Sequence, residues 1–586
     1  MNSPVSQPKL SYHAAGLKLA LVTAFLMAII TSIPQVHLWY VRGSEWNGSC
    51  AYSDPDEVPY AAYTNALIDG RPRRNDPFSG KDNSEFETLF SIQFLPAYAV
   101  ALPARLLHIS VDTAFMALLP LATIAATLVI WCLIFEVTHN SLLAIAGAVC
   151  VISLSTAAAH SPLQILSGIQ TGYNPFPFLR RYVPALPFPI FLASSLFVWR
   201  ALTLRLVWAV VAGMSLALLV YSYFFLWTAV AAWYFTILVL WFVARPADRS
   251  RVLKVAAILI AFGVIALIPY VRLLMQRPQS MDRGQILELT HVPDLFRAPE
   301  LYGALLLCLL LYQVTARLKR HDDPKILFTA SFALAPFIVF NQQVLTGRSL
   351  QPFHYEEFAA NYWIVIAALL ALGILRQHIP KRILVYLTAA GLGVGVMLGV
   401  QNARIMESTN VRFDEVRGTA LKLAQEKSTG VVFTSDRFLT YTIATVSDKP
   451  VLWARYLYTF SNVDSAEQKK RYYQYLYYSG VDENKLAMIL RDDFTARWEV
   501  FGAERVNPVL TANPYPISDQ EIRNAAKEYG EFTRAFDSNL AATPLLTYAV
   551  VSLKDNLSNL DKWYERSEAY RDGELVTYHL KLKAPE

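Results

Sequence analysis

Residues 115–135 read FMALLPLATIAATLVIWCLIF, with no charged side chain anywhere in the run. A helix crossing the hydrocarbon core of a bilayer needs about 20 predominantly apolar residues. This stretch is long enough to cross and too apolar to lie on a soluble surface. Working outward from it, ten more stretches of the same kind appear near 17–36, 141–158, 186–203, 206–224, 226–244, 255–275, 301–316, 326–343, 361–375 and 383–401. With 112–135 they predict eleven spans. The segment 92–110 (IQFLPAYAVALPARLLHIS) is also apolar, but Pro96, Pro103 and Arg105 interrupt it, so it is expected to lie at the interface.

Composition supports this. The 586 residues are 54% hydrophobic and only 17% charged, against about 25% charged in soluble domains. The mean hydropathy is +0.32. Apolar content this high excludes disorder for most of the chain. Four cysteines in 586 residues exclude a disulfide scaffold. No zinc spacing, P-loop or dinucleotide fingerprint is present. The first span is longer than a signal-peptide core and reads as a retained anchor.

The net charge of +6 is unevenly spread. With the N-terminus inside, the inner segments, including Lys9 and Arg317, carry 15 cations against Glu136, Asp248, Asp322 and Asp323, a net of +11. The outer loops before residue 402 carry −3 and the tail 402–586 carries −2. Short inner loops rich in Lys and Arg follow the positive-inside rule. The charge therefore records orientation in a membrane, and nucleic acid is not an expected partner. Eleven spans place the tail outside. The predicted fold is a polytopic α-helical membrane domain, 1–401, with a long first outer loop, 37–111. A soluble extracytoplasmic α/β domain, 402–586, follows. The expected location is the cytoplasmic (inner) membrane.

Within the tail, 430–435, 449–453, 486–491 and 547–553 read as short buried strands, 575–583 as a final edge strand, and 465–478 and 519–534 as helices. The tyrosine-rich run YYQYLYY (472–478) has two readings, an acceptor-binding face or ordinary packing.

The first outer loop carries Asp54-Pro55-Asp56-Glu57-Val58-Pro59-Tyr60, three carboxylates in four residues. Tyr60, Tyr63 and Leu67 share one helical face, predicting an amphipathic helix against the membrane with the acids at its head. A structural reading stands beside any chemical one: an Asp cap, a Pro at the first position and a Glu three residues on make a good helix start. Other polar clusters lie at Arg180-Arg181, Arg283, and 341–357, where Gln343, Arg348, His354 and Tyr355 crowd one loop.

The acidic pair Asp56-Glu57, Tyr60, and Gly70-Arg71 a dozen residues on resemble the first-loop pattern of the GT-C superfamily of membrane glycosyltransferases. That superfamily includes the protein O-mannosyltransferases and the aminoarabinose transferases. An inner N-terminus, a proline-rich interfacial segment before span two, many spans and an outer C-terminal domain also resemble that family's layout. The resemblance implies a polyprenyl-phosphate-linked sugar donor, a glycan, lipid or protein acceptor, and inversion at the anomeric carbon. It implies Asp56 as general base, with Glu57 second. A sugar hydroxyl attacks poorly until a positioned carboxylate takes its proton. The leaving phosphate calls for cations, with Arg180, Arg181, Arg348 and His354 as candidates. Tyr60, Gln343 and Tyr355 are candidate substrate contacts. No metal ligand set is predicted; Mg or Mn is compatible with an acidic loop, and His160, His291 and His354 come from separate loops.

Three alternatives remain. A transporter would place ionisable residues near the midplane, and these spans contain almost none. A polysaccharide polymerase or ligase would use a lipid-linked donor without needing the acidic pair. A non-enzymatic envelope scaffold is the third.

Overall fold

A computed structural model describes residues 10–155, 176–278, 281–282, 285, 287–316, 318–376, 379–428, 430–460, 464–506 and 516–584. Lys9, His160, Arg283 and Arg317 lie outside these residues. The chain packs as two units. One comprises 1–41, 115–271 and 290–407; the other comprises 42–114, 272–289 and 408–586.

The first unit is helical. Every predicted span coincides with a helix, from Leu10–Thr31 to Lys381–Ile405. Among the described residues, seven helices are long and apolar enough to cross a membrane. An eighth forms if Gly16–Thr31 and Ile33–Glu45, bent by 44°, count as one span. The bend falls at Pro34, whose ring removes a backbone donor and crowds the preceding turn. Ser141–Leu154, Pro187–Thr203 and Val207–Val220 have 14, 17 and 14 residues. A 14-residue helix is about 21 Å long, short of the hydrocarbon core. Ser141–Leu154 is buried without a break from Leu143 to Ser153, so its apolarity serves protein packing on every side. Lys381–Ile405 approaches it through small residues. A Cβ on Gly391 would meet Val149 at 2.8 Å, one on Gly395 would meet Ser153 Oγ at 2.9 Å, and one on Gly399 would meet the Ile30 carbonyl at 2.8 Å. Such stripes let helix backbones close up in an apolar medium.

Loops assigned to the same side are found together. Arg200 pairs with Glu136, its Nε–H shared between the two carboxylate oxygens at 2.9 and 3.0 Å and its Nη2 donating to Oε1. Arg251 donates to the Ala201 carbonyl at 2.9 Å, and Arg245 reaches the Asp322 carbonyl at 2.6 Å. Among the outer-loop residues, Arg297 pairs with buried Glu356 at 3.1 Å, and Asn341 donates to Glu300 at 3.1 Å.

The second unit is built on a four-stranded sheet: β1 (Val431–Thr434), β2 (Leu546–Ser552), β3 (Tyr564–Asp572) and β4 (Leu575–Leu582). The order is β1-β2-β4-β3, with β1 and β2 parallel and the other neighbours antiparallel. Gly573, at φ +60°, sits in the two-residue turn of the β3–β4 hairpin, a conformation that type I′ and II′ turns require. Helices Ser465–Tyr478 and Asp519–Arg534 form as predicted, capped by Asp464 and Ser518.

Four readings of this unit need correction. Segment 486–491 is helical, inside Glu483–Asp492. Leu486 and Leu490 are buried while Met488 is 58% exposed, a helical period that a short apolar run conceals. Segment 449–453 forms a single parallel bridge, Val451 to Val432. The 575–582 strand is internal, and the edge is Tyr564–Asp572, a charge-rich segment of the kind that protects sheet edges. Finally, Glu57–Ile68 does not lie against a membrane as an amphipathic helix. It is buried nearly all round, on Leu95–Leu107 to one side and Arg437–Val446 to the other. Leu95–Leu107 is the two-faced helix: Ala97, Ala101 and Ala104 pack inward, while Leu106 and Leu107 are 79% and 65% exposed.

The tyrosine-rich run is packing. Tyr477 stacks on Phe536 with centroids 4.0 Å apart, Tyr475 lies on Trp453 at 4.7 Å, and Tyr473 meets Tyr529 at 5.1 Å. All its tyrosines are buried.

Candidate functional site

The acidic loop is held by residues more than 350 positions away. Asp414 accepts from Arg42 Nε (2.9 Å), Asn47 N (3.0 Å) and Ser49 Oγ (2.8 Å). Asn410 exchanges two hydrogen bonds with the Tyr52 backbone, at 2.9 and 3.0 Å. Asp112 takes Arg417 at 2.8 Å and the Cys50 amide at 3.0 Å. Tyr456 donates its hydroxyl to the Pro55 carbonyl at 2.9 Å. Buried carboxylates persist only when such partners replace water. The loop therefore enters the Asp54–Glu57 turn from a fixed backbone.

Within that turn the three acids differ. Glu57 is fully buried and accepts from the Ser53 amide at 2.9 Å. Asp54 is half-buried and accepts from the Asp56 amide at 2.9 Å. Asp56 occupies the cap position of Glu57–Ile68 with helical backbone angles, makes no side-chain capping bond, and is exposed. Bonds to backbone amides of the turn thus engage Asp54 and Glu57, and Asp56 is the acid exposed at the surface. Tyr60 is half-buried with its ring edge-on to Phe90, centroids 5.5 Å apart. Phe90 in turn stacks on Phe460 at 4.5 Å.

Gly70 and Arg71 are structural. Gly70 adopts φ +87°, and a Cβ there would meet the Arg105 guanidinium at 2.9 Å. Arg71 ties the loop by donating to Asp82 (2.6 Å) and the Asp76 carbonyl (3.1 Å). Nearby, Arg73 is bidentate to Glu87 at 2.6 and 2.7 Å. Burial alone pushes the Glu87 carboxyl up, but the hydrogen bonds from Arg73 and Ser91 outweigh it, and Glu87 ends below the usual range.

The basic candidates belong to the helical unit. Arg180 is buried, donates to the Val183 carbonyl (3.2 Å) and the Tyr223 hydroxyl (3.0 Å), and lies over the Phe358 ring at 5.4 Å. His354 stacks on the same Phe358 ring (5.4 Å) and against Phe225 (4.4 Å), with Nδ1 buried and unbonded. Arg180 and His354 therefore share one aromatic box. Tyr355 stands beside it, its hydroxyl against Thr228 (3.0 Å) and receiving Gln342 (2.8 Å). The other candidates stand apart from the box. Arg181 is fully buried on the Phe115 carbonyl at 3.4 Å. Gln343 is occupied by the Val292 carbonyl at 3.1 Å. Arg348 is exposed, with its backbone in a turn with Thr346. Sequence reasoning missed Tyr223, the hydroxyl that fixes Arg180. Its only signal was its place in the short turn between two apolar runs.

Among the described residues, no three His, Cys, Asp or Glu side chains converge as metal ligands. His291 is engaged by the Val344 carbonyl at 3.1 Å.

The chain is similar to an archaeal oligosaccharyltransferase. The apo enzyme of Archaeoglobus fulgidus aligns at 12% identity and a TM-score of 0.44, covering 95% of this chain and 74% of that one. The same enzyme tethered to an acceptor peptide containing the NVT sequon gives 12% identity and 0.43 over the same coverage. The A. fulgidus protein AglB in complex with an inhibitory peptide and a dolichol-phosphate gives 13% and 0.40, covering 97% and 74%. Likeness at this level assigns no residue of the chain a role. No protein-family model and no curated protein matches the sequence.

Proposed function

We propose that the protein is an integral-membrane glycosyltransferase of the GT-C type. It moves a sugar from a polyprenyl-phosphate-linked donor to an acceptor on the outer face of the cytoplasmic membrane, with Asp56 as general base. One observation carries the reading: of the three acids in this turn, Asp54 is half-buried, Glu57 is fully buried and Asp56 is the exposed one. A carboxylate so placed on a pinned loop can accept the proton of an acceptor hydroxyl. Glu57, buried and bonded to Ser53, is a positioning residue in this scheme.

Arg180, His354 and Tyr355 are the proposed donor-phosphate group, since a buried guanidinium is preorganised for developing negative charge. Arg348 has a peripheral, headgroup-steering role. Arg181 and Gln343 hold the Phe115 and Val292 carbonyls within the helical unit. The described residues offer no three-ligand metal site, and no step is assigned to Mg or Mn.

The test is a product search. Cell-envelope glycans and lipids of a deletion strain are compared by mass spectrometry with strains restored by the wild-type gene or by Asp56→Asn. A sugar mass restored by the wild type and not by Asp56→Asn is expected. Restoration by Asp56→Asn would remove the base assignment, and an unchanged envelope in the deletion strain would remove the transferase reading.

A further inference from the structure

Two loops of the helical unit, 290–297 and 341–347, are stitched into one platform. The Asp294 amide donates to Asn341 Oδ1 at 3.0 Å, and Gln343 Nε2 donates to the Val292 carbonyl at 3.1 Å. The Thr290 amide donates to the Gly347 carbonyl at 3.1 Å, and the His291 ring meets the Val344 carbonyl at 3.1 Å. Four apolar side chains of this platform are exposed: Val292, Leu295, Phe296 and Leu345, with Phe296 at 79% and Leu345 at 90%. The charges beside them are paired within the protein. Arg297 holds Asp294 at 2.7 Å and buried Glu356 at 3.1 Å, and buried Glu300 accepts the Arg297 amide at 3.0 Å.

Phe296 holds φ +74°. A bulky residue rarely adopts that conformation, and the exposed ring gains no burial in the protein to offset it. The backbone is fixed by the anchors on either side, the amides of Asp294 and Arg297. Strain held in this way in an exposed apolar residue points to a task outside the chain.

The depth of the platform follows from the helix it leads into. Ala298–Thr315 has 18 residues, so it is about 27 Å long, a little short of the roughly 30 Å hydrocarbon core. Lys319 and Arg320 follow its far end, and their charges hold that end at the headgroups. The missing length therefore falls at the Phe296 end, two residues before Ala298. The apolar surface is continuous there: Leu301, Tyr302 and Leu305 near the start of the helix are exposed, as lipid-facing residues of a span are.

We infer that the platform is a membrane-interface anchor, with Val292, Leu295, Phe296 and Leu345 inserted into the headgroup–acyl boundary of the bilayer. The occupant is lipid because the apolar patch continues the lipid-covered face of a span. The anchor sets the height of the aromatic box relative to the bilayer, since Gln342 of the same platform donates to the Tyr355 hydroxyl at 2.8 Å. The inference does not depend on Asp56 or on sugar transfer.

Fluorescence quenching on the full chain in phosphatidylcholine nanodiscs tests it. In a Cys308→Ser background, which removes the exposed native thiol, a polarity-sensitive fluorophore is attached at Phe296→Cys or Leu345→Cys. Met488→Cys, exposed on a helix of the second unit, is the aqueous reference. The chains compared share the parent's melting temperature. A lipid nitroxide near the headgroup end of the acyl chain should cut emission at 296 and at 345 about twofold or more, as for groups about 5–10 Å into the boundary, and leave 488 nearly unchanged. Aqueous iodide should do the reverse. Iodide access at 296 or 345 equal to that at 488 overturns the inference. Resistance to both quenchers, the mark of a second copy covering the patch, overturns it too. Either result leaves the transferase reading to its own test.

Discussion

The acidic loop and the aromatic box around Arg180 handle charge in opposite ways. In the loop, carboxylates are clamps: Asp414, Asp112, Glu57 and Glu87 each hold an amide or a guanidinium, and Asp56 stands out by exposure. In the box the cation itself is enclosed, with Arg180 and His354 stacked on Phe358. A surface acid is easily recruited for proton transfer, whereas a buried cation is a fixed field. Exposure marks the candidate in one region and enclosure marks it in the other.

The largest expected effect lies in the loop. Asp56→Asn should lower transfer by about 100-fold or more, the usual scale for losing a general base, with insertion and melting temperature unchanged. Glu57→Gln, which still accepts the Ser53 amide, should stay within a few-fold of wild type. Equal losses in both variants would erase the distinction between the acids.

The clamp is next. Asp112→Ala leaves Arg417 buried and uncompensated and should cost about 3–5 kcal/mol, read as a lower unfolding midpoint. An unchanged midpoint would mean that the loop is held elsewhere. In the box, Arg180→Ala should raise the apparent donor requirement about tenfold or more, since charge-assisted bonds contribute about 1.5–3 kcal/mol. Exposed Arg348→Ala should change it less than about fivefold. A reversed order would move the phosphate site to Arg348.

A separate check is a pair of opposite pH slopes within the second unit. Glu499 is buried with Gln468 donating at 2.7 Å, and burial pushes its carboxyl up to about 8 despite that bond. Its folded form holds a proton that the unfolded chain has released, so stability falls as pH rises from about 4.5 toward 8. Glu499→Gln should flatten that decline. Glu87 is shifted down, so its contribution is complete above about pH 4.5 and is lost as pH falls through its folded value. Glu87→Gln should remove that acid-side loss. Thermal scans between about pH 2 and 9 compare them.

Much of this was legible in the sequence, for identifiable reasons. The spans announce themselves by continuous apolarity and coincide with helices, but Ser141–Leu154, Pro187–Thr203 and Val207–Val220 are shorter than the other candidate spans. The acidic turn was found because three carboxylates in four residues are conspicuous. Its environment was misjudged: Tyr60, Tyr63 and Leu67 suggested one membrane-facing side with the other side wet, but Ala61, Ala62 and Thr64 are buried as well, and only tertiary partners reveal that. Among the polar candidates, Arg180 and His354 meet on Phe358, while Arg181, Gln343 and Arg348 serve elsewhere. Sequence lists the donors but not their carbonyl partners. The linear division at 401 also differs from the packing, which joins 42–114 to 408–586.

That joining has a consequence for biosynthesis. Asp414 and Asn410 are made some 360 residues after the Asn47–Tyr52 segment they hold. Nascent acidic loop emerges early and waits while the intervening helices are inserted. Contacts so distant in sequence form slowly, so the turn bearing Asp56 gains its shape only after Asn410, Asp414 and Arg417 have been made. A ribosome stalled before residue 408 would leave an inserted protein whose candidate base is present and unplaced, a built-in delay between membrane insertion and competence.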